Sequence, residues 1–336
     1  MKKCILFLIA ITVGATAFSQ QNLEPDTKKP LLDTKKLAFW KRNEDKTLAM
    51  DNAPVATGNA KDLARITNNP FVEYYPQVSS DGKYIMFYTC DNTKKGNEKF
   101  GIVYLTVGQP GRTPLLGSFT SEASWLPNSK EFVYCYLRPA KPVICKGSID
   151  GRSGIAYVTP SAMGDADANP HVSPDGKKIL FCSKIGNSYQ MCLMDINGTN
   201  FSVLTEGYYA CWHPSGKSFI YTKRVGVFEQ IFSYDITTGQ STQLTSGEYS
   251  NFNGAYSVDG KHIVFCSAAG GTTAHVFVMK ADGNSVVQLT QGNTTEWYPA
   301  FAPDGTIYFC SNAGAPLGQT KISEYADIWS IKFEGN

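Results

Sequence analysis

The sequence predicts an all-β protein, a six-bladed β-propeller with four antiparallel strands in each blade. A short motif recurs six times at intervals of about 40–47 residues. Turn-forming residues stand at matching places in these copies, and most copies end with Leu-Thr or a close variant. A fixed period of this size indicates one supersecondary unit per repeat, which buries its apolar faces only against its neighbours.

The clearest copies of the motif share the pattern Pro-x-(Val/Phe)-(Ser/Ala)-x-Asp-Gly. They begin at Pro76, Pro170 and Pro299. Three looser copies fill the intervals, at Ser124–Lys130, Trp212–Lys217 and Tyr256–Lys261. Their regular spacing gives the count of six blades.

The third copy shows how one blade is built. Pro170–Ser173 predicts a short inner strand, and Pro174–Lys177 predicts a tight turn in which Pro presets φ and Gly accepts positive φ. The apolar segments Lys178–Ser183 and Tyr189–Asp195 predict two further strands, and Phe201–Thr205 predicts the fourth. Short strands joined by turn residues and repeated in this way are typical of propeller blades.

The last copy predicts how the ring closes. It contains the strand Asp327–Phe333 but no Leu-Thr strand after it, whereas a surplus copy, Ile66-Thr67, precedes the first repeat. We therefore expect a strand near residues 63–67 to complete the sixth blade and to remove the open sheet edge.

The N-terminus predicts export. Lys2 and Lys3 precede the apolar stretch Ile5–Ala17, and small residues at positions 17 and 19 suit cleavage after residue 19. The predicted organisation is a signal peptide at 1–19, an extension or linker at 20–61 whose role is open, and the propeller at 62–336. No segment of the mature chain is predicted to cross a membrane, and we expect a periplasmic or cell-surface location.

Charge and cysteine placement limit the partners. Removing Lys2 and Lys3 leaves 29 basic against 29 acidic residues, which gives no basic footprint for a nucleic-acid partner. Four cysteines recur at one strand position of the repeat, where we expect them to be buried: Cys135, Cys182, Cys266 and Cys310. Cys135 with Cys145 and Cys182 with Cys192 each span a predicted hairpin, so their oxidation state is open.

The repeat resembles that of the TolB-like propellers. The resemblance is carried by Asn169–Asp195 and, with Gly254 in place of Pro, by Asn253–Met279, and it extends over about residues 62–334. It implies a six-bladed envelope propeller. TolB has an α/β domain before its propeller, and the short segment preceding this propeller has no comparable pattern.

The search for catalytic chemistry gives little. The chain has no Gly-x-Ser-x-Gly pentapeptide, which counts against a serine hydrolase. His171 and His213 are expected on inner strands of adjacent blades, where packing is the favoured role and metal ligation the alternative. The Asp-Gly turns lack the acid pattern of a calcium loop. We predict no metal, no cofactor and no catalytic residues.

The candidate binding surface is the set of loops that lead into the inner strands, because these loops gather at one mouth of a propeller. Aromatic rings beside polar side chains make good contact surfaces, although the acids could instead bond neighbouring blades and the tyrosines could plug the channel. The predicted binding residues are Glu73, Tyr74, Tyr75, Glu122, Asp167, Tyr208, Tyr209, Asn251, Asn253, Glu296, Trp297 and Tyr298.

The predicted function is that of an exported, non-enzymatic propeller, monomeric on its own, that binds a protein or glycan in the bacterial envelope. The alternative is a propeller-fold polysaccharide lyase acting at the same mouth of the channel.

Overall fold

A computed structural model of the chain describes residues 53–68, 71–91, 100–137, 141–150, 156–159, 163–271, 273–313 and 326–334. These residues form six four-stranded antiparallel sheets and contain no helix, so none of them forms a helix able to cross a membrane. The predicted six-bladed β-propeller is confirmed. The predicted signal peptide and most of the predicted extension lie outside the described residues.

In chain order the strands are β1 (Val55–Ala56), β2 (Ala60–Arg65), β3 (Val72–Val78), β4 (Tyr84–Cys90), β5 (Phe100–Thr106), β6 (Thr113–Leu116), β7 (Thr120–Trp125), β8 (Glu131–Tyr136), β9 (Val143–Ser148), β10 (Ala156–Tyr157), β11 (Asp167–Val172), β12 (Lys178–Ile185), β13 (Ser188–Asp195), β14 (Ser202–Glu206), β15 (Tyr208–Trp212), β16 (Ser218–Val225), β17 (Phe228–Asp235), β18 (Ser241–Gln243), β19 (Asn251–Tyr256), β20 (His262–Ser267), β21 (His275–Lys280), β22 (Val287–Gln288), β23 (Thr290–Gln291), β24 (Glu296–Phe301), β25 (Thr306–Ser311) and β26 (Asp327–Phe333). Blade 1 comprises β3–β6, blade 2 β7–β10, blade 3 β11–β14, blade 4 β15–β18, blade 5 β19–β22, and blade 6 β24–β26 with β2.

In blades 1, 3 and 5 the turn between the first two strands is fixed by a serine and an aspartate. In blade 3 the Ser173 hydroxyl donates to Asp175 Oδ1 at 2.6 Å, and the same oxygen accepts the Lys177 amide at 3.0 Å. Gly176 has φ +74°, which a residue with a Cβ adopts only under strain. Ser79 with Asp81 and Ser257 with Asp259 repeat the arrangement. The end of the propeller that carries these turns is called the turn face below.

Every inner strand contains a β-bulge. The register shifts once in β3, β7, β11, β15, β19 and β24. At each shift one residue with a side chain has positive φ, between 41° and 58°. These six residues, called the ring residues, are Tyr75, Glu122, Asn169, Tyr209, Asn253 and Tyr298.

The ring of blades closes as predicted. β2 pairs with β26, with Ala64 opposite Ser330, and the Ile66 and Thr67 amides both donate to the Ile328 carbonyl. β1 pairs with β23 at the outside of blade 5. β1 and the first two residues of β2 precede residue 62 in the sequence.

The cysteine pairs left open by the sequence do not face each other. Cys135 lies opposite Ile144 and Cys145 opposite Tyr134, while Cys182 lies opposite Met191. An offset of one residue places the two thiols of each pair on opposite faces of the sheet, because side chains alternate along a strand. All eight described cysteines are free thiols, and all but Cys211 are buried.

Candidate functional site

A cavity of about 400 Å³ lies at the centre of the propeller and opens on the turn face. Its lining comes from all six inner strands and from the turns that follow them. Three levels can be distinguished along the channel. The floor is formed by four of the six ring residues, the wall by the residues two positions after each ring residue, and the rim by the turns. The floor residues are Tyr75, Tyr209, Asn253 and Tyr298.

Three tyrosines form the centre of the floor. Tyr75, Tyr209 and Tyr298 come from blades 1, 4 and 6, and their ring centroids are 5.2 to 6.3 Å apart. The hydroxyls of Tyr209 and Tyr298 share a hydrogen bond of 3.0 Å. Blades 1 and 4 lie across the channel from each other, so these contacts close it at this level. Burial raises the pKa of all three phenols, which keeps them protonated.

Two side chains in the cavity have buried polar atoms without a hydrogen bond in the described part of the chain. Asn253 is 5% exposed, and neither its Oδ1 nor its Nδ2 is bonded. His171 Nδ1 is also unbonded, and desolvation lowers the pKa of this imidazole to about 4, so the ring is neutral at pH 7. Buried polar atoms in proteins are usually bonded, and these two residues therefore mark where a ligand or water is expected.

The remaining wall positions carry Gln77, Ser124, Cys211, Ala255 and Ala300. Indole groups hold part of this wall in place. Trp125 Nε1 donates to the Gln77 carbonyl at 2.9 Å, and Trp212 Nε1 donates to the His171 carbonyl at 3.0 Å, each across a blade boundary.

The rim is largely apolar. The turns contribute Ser80, Pro127, Pro174, Pro214, Val258 and Pro303. Among the described residues that line the cavity there is no Asp, Glu, Lys or Arg. The turn acids, such as Asp175, fold back onto their own turns.

Three of the four predicted acids, Glu73, Asp167 and Glu296, are fully buried and bonded inside the ring of blades. Glu296 accepts hydrogen bonds from Thr290 at 2.9 Å and Ser311 at 3.1 Å, and its Oε2 lies 2.8 Å from His275 Nδ1. The partners belong to strands on both sides of the boundary between blades 5 and 6. These contacts link two blades and use both carboxylate oxygens.

Asp167 and Glu73 occupy the same repeat position. Asp167 accepts the Ser183 hydroxyl at 2.7 Å and the Met163 amide, and desolvation raises the pKa of this carboxyl. Glu73 forms an ion pair with Arg112 at 2.8 Å. Neither of these acids lines the cavity.

A neutral version of the same link joins blades 4 and 5. Gln230 Oε1 accepts the Asn251 side-chain amide at 2.9 Å and the Thr245 hydroxyl at 2.8 Å. Asn251 stands where Glu296 stands in the next blade, and Gln230 stands where His275 stands. The pairing of His275 with Glu296 is thus one case of a recurring contact between blades.

The other predicted residues also lie away from the cavity. Tyr74 is buried, with its ring centroid 5.0 Å from that of Tyr88, and Trp297 is buried as well. Glu122 Oε2 accepts the Asn169 amide at 2.9 Å, and desolvation raises the pKa of this carboxyl. Tyr208 donates to Glu229 Oε1 at 2.5 Å, and desolvation raises the pKa of Glu229 to about 7.

The structure therefore brings together four of the twelve predicted residues: Tyr75, Tyr209, Asn253 and Tyr298. Sequence reasoning treated His171 as packing and the turns as scaffold, and it did not single out the wall or the rim. One signal was available, since the position two residues after each ring residue varies between Gln, Ser, His, Cys and Ala. Among the described residues, no three His, Cys, Asp or Glu side chains are grouped as metal ligands.

Comparison with known proteins supports the fold more than the function. No family model matches the chain. An uncharacterized protein of Agrobacterium fabrum is 35% identical over 200 residues, which cover 59% of this chain. The match spans 61% of that protein, less than two thirds of its length.

Three solved structures share the propeller. A putative TolB from Agrobacterium tumefaciens has a TM-score of 0.55 and 23% identity over 67% of this chain and 83% of its own. TolB from Acinetobacter baumannii has a TM-score of 0.57 and 19% identity over 77% of this chain and 65% of its own. An oligogalacturonate lyase from Vibrio parahaemolyticus has a TM-score of 0.52 and 12% identity over 83% of this chain and 96% of its own.

These likenesses confirm the six-bladed propeller fold expected from the repeat, and two of the three similar structures are a putative TolB and a TolB. The same architecture carries a lyase in another protein. The fold alone therefore does not distinguish binding from catalysis.

Proposed function

We propose that this TolB-like propeller is an exported, non-enzymatic binding protein of the bacterial cell envelope, and that its central cavity receives part of a protein or glycan partner. The observation that carries the proposal is the cavity with unbonded buried polar atoms on Asn253 and His171. A ligand that satisfies those atoms recovers a desolvation penalty of about 1–3 kcal/mol for each group.

The shape of the cavity supports this role. Its volume of about 400 Å³ lies within the range of ligand sites, and its floor is held by contacts among three tyrosines. The proline-rich rim offers a rigid apolar collar around the opening. Such a surface can meet a partner without a large loss of side-chain entropy.

The titratable groups of the cavity favour binding over catalysis. A general base works best with a pKa near the operating pH. Burial lowers the pKa of His171 to about 4 and raises that of Cys211 to about 11, and the floor tyrosines are raised as well. At neutral pH the imidazole is thus a weak base, and the thiol and phenols hold their protons.

The test blocks the cavity and measures capture. The Ala255→Trp variant places an indole in the wall, whereas Val203→Trp places one on an exposed outer strand of blade 3. We expect wild type and Val203→Trp to crosslink the same envelope component in cells. Ala255→Trp should lose about tenfold or more of that product.

A polysaccharide lyase acting at the channel remains the alternative, favoured by the fold shared with the oligogalacturonate lyase. It is tested by incubating the purified protein with polygalacturonate and divalent cations. Formation of unsaturated uronates by wild type, and not by Ala255→Trp, would replace the binding proposal with the lyase.

A further inference from the structure

We propose that the ligand of the cavity is an uncharged carbohydrate, which enters from the turn face with one sugar unit against Asn253, His171 and the tyrosine floor. This inference rests on the proposed binding function and names its ligand class. Three properties of the cavity support it: the uncharged side chains of its described lining, the type of unbonded polar atoms, and the closed floor.

The first property is electrostatic. The described residues that line the cavity include no Asp, Glu, Lys or Arg, and the imidazole of His171 is neutral. A charged ligand would lose its hydration without meeting an opposite charge, which is expensive in a buried site. A uronate, a phosphate or a metal cation is therefore a poor match, whereas a neutral polar group is a good one.

The second property is the hydrogen-bonding chemistry. Asn253 presents one acceptor, Oδ1, and one donor, Nδ2, side by side and both unbonded. Neighbouring hydroxyls of a sugar ring can donate to the first and accept from the second, because each hydroxyl is both donor and acceptor. Among the ring residues this is specific to Asn253, since Asn169 is bonded through its Oδ1 to Cys182 and does not line the cavity.

The third property is the floor. Tyr75, Tyr209 and Tyr298 close the channel, so a chain entering from the turn face must end, or project a side group, in the cavity. A peptide terminus carries a charge, whereas the end of a neutral glycan carries none. Aromatic surfaces also suit the apolar faces of sugar rings. Together these points favour a glycan end over a peptide end.

The experiment uses matched probes and matched variants of the full mature chain. Methyl galactoside and methyl galacturonoside differ only at C6, where a carboxylate replaces the hydroxymethyl group. Methyl glycosides of glucose, mannose and N-acetylglucosamine extend the neutral set. An acetylated and amidated tripeptide of Ala, Ser and Asn represents an uncharged peptide. Binding is measured by ligand-observed NMR and by calorimetry up to about 10 mM, a range suited to weak single-sugar affinity.

Asn253→Gly and Asn169→Gly form the matched pair of variants. Both positions have positive φ, 53° and 50°, which glycine accepts without strain, and only Asn253 lines the cavity. We expect at least one neutral glycoside to bind wild type and Asn169→Gly with similar affinity. Asn253→Gly and Ala255→Trp should each weaken it about tenfold or more, and galacturonoside should bind at least tenfold more weakly than galactoside.

Several outcomes would overturn the inference: no neutral glycoside bound at about 10 mM, tighter binding of galacturonoside or of the blocked tripeptide, or equal losses in the two glycine variants. Matching thermal unfolding midpoints for the two glycine variants show that a loss arises in the cavity. If no glycoside binds, but wild type still captures an envelope component in cells and Ala255→Trp does not, the sugar ligand is wrong and the proposed binding function stands. If wild type also captures no envelope component, both proposals are wrong.

Discussion

At the scale of single residues, the ring position combines an unfavourable backbone with large side chains. Tyr75, Tyr209 and Tyr298 have φ between 51° and 58°, a region that costs a residue with a Cβ about 1–2 kcal/mol. The bulge that imposes this conformation also places three aromatic rings in mutual contact at the channel centre. Packing of the rings offsets the backbone strain, and the strain is located where the cavity has its floor.

Glu229 gives a prediction at the same scale. Desolvation raises its pKa from 4.5 to about 7, so the fold favours the protonated acid. The stability from this group is fully present below the unfolded pKa and is lost as the pH rises to about 7. Glu229→Gln cannot ionise. We expect its unfolding free energy, relative to wild type, to increase by about 2–3 kcal/mol between about pH 5 and about pH 8 in urea titrations.

Glu131 provides the control for that measurement. A hydrogen bond from Lys146 lowers the pKa of this carboxyl, so its contribution to stability is present above the ordinary pKa and is lost only in more acidic solution. The difference between Glu131→Gln and wild type should therefore be flat over the same pH range. Parallel profiles for Glu229→Gln and wild type would show that Glu229 does not titrate near pH 7.

At the scale of the blade, polar links between neighbouring sheets recur with different residue types. Glu296 bonds with His275, Thr290 and Ser311, whereas Asn251 donates its side-chain amide to Gln230. The contact between neighbouring blades is thus made in one case by a buried acid with three partners and in the other by an amide. The acidic link leaves more groups unsatisfied when it is broken.

Replacing each residue by alanine tests this difference. Glu296→Ala removes the acceptor of three buried groups, so we expect a loss of about 3 kcal/mol or more in unfolding free energy. Asn251→Ala removes one side-chain hydrogen bond and should cost about 1 kcal/mol. Both are measured by urea unfolding at one pH. Equal losses would contradict the structural role assigned to the acid.

The blade scale also shows where sequence reasoning stops. The repeat, its turn residues and the surplus Ile66-Thr67 sufficed to predict six blades and their closure, because these features are local and periodic. The partners of Glu296 were not predictable in the same way, since His275 lies on the third strand of the preceding blade and its position is occupied by Gln230 one blade earlier. The cavity was missed because His171 and the wall acquire a role only when six inner strands surround one axis.

At the scale of the whole molecule, the closing strand joins distant parts of the chain. β2 supplies the outer strand of blade 6, and Arg65 forms an ion pair with the buried Asp327. Each inner strand contacts its neighbours, and β24 contacts β3, so blades 6 and 1 meet as the others do. Loss of β2 would expose the edge of β26 and weaken the boundary at which the ring is completed.

Proline substitutions at two equivalent positions distinguish the role of β2 in closing the ring from the ordinary loss of one strand hydrogen bond. Ala64 of β2 lies opposite Ser330 of β26. Thr242 of β18 lies opposite Ser233 of β17, at the same place in the outer strand of blade 4. Proline removes one backbone donor at either site. Thr242→Pro should cost about 1–3 kcal/mol and leave a monomer, because the rest of its blade is continuous in sequence.

Ala64→Pro should lower the unfolding midpoint further and cause concentration-dependent association, because it frees an unpaired edge where the two ends of the propeller meet. Thermal unfolding and light scattering after size-exclusion chromatography measure both effects. Similar midpoints and similar monomer content for the two variants would mean that β2 is no more than an ordinary outer strand. A larger effect of Ala64→Pro would identify the junction with β26 as the contact on which the integrity of the ring, and with it the central cavity, depends.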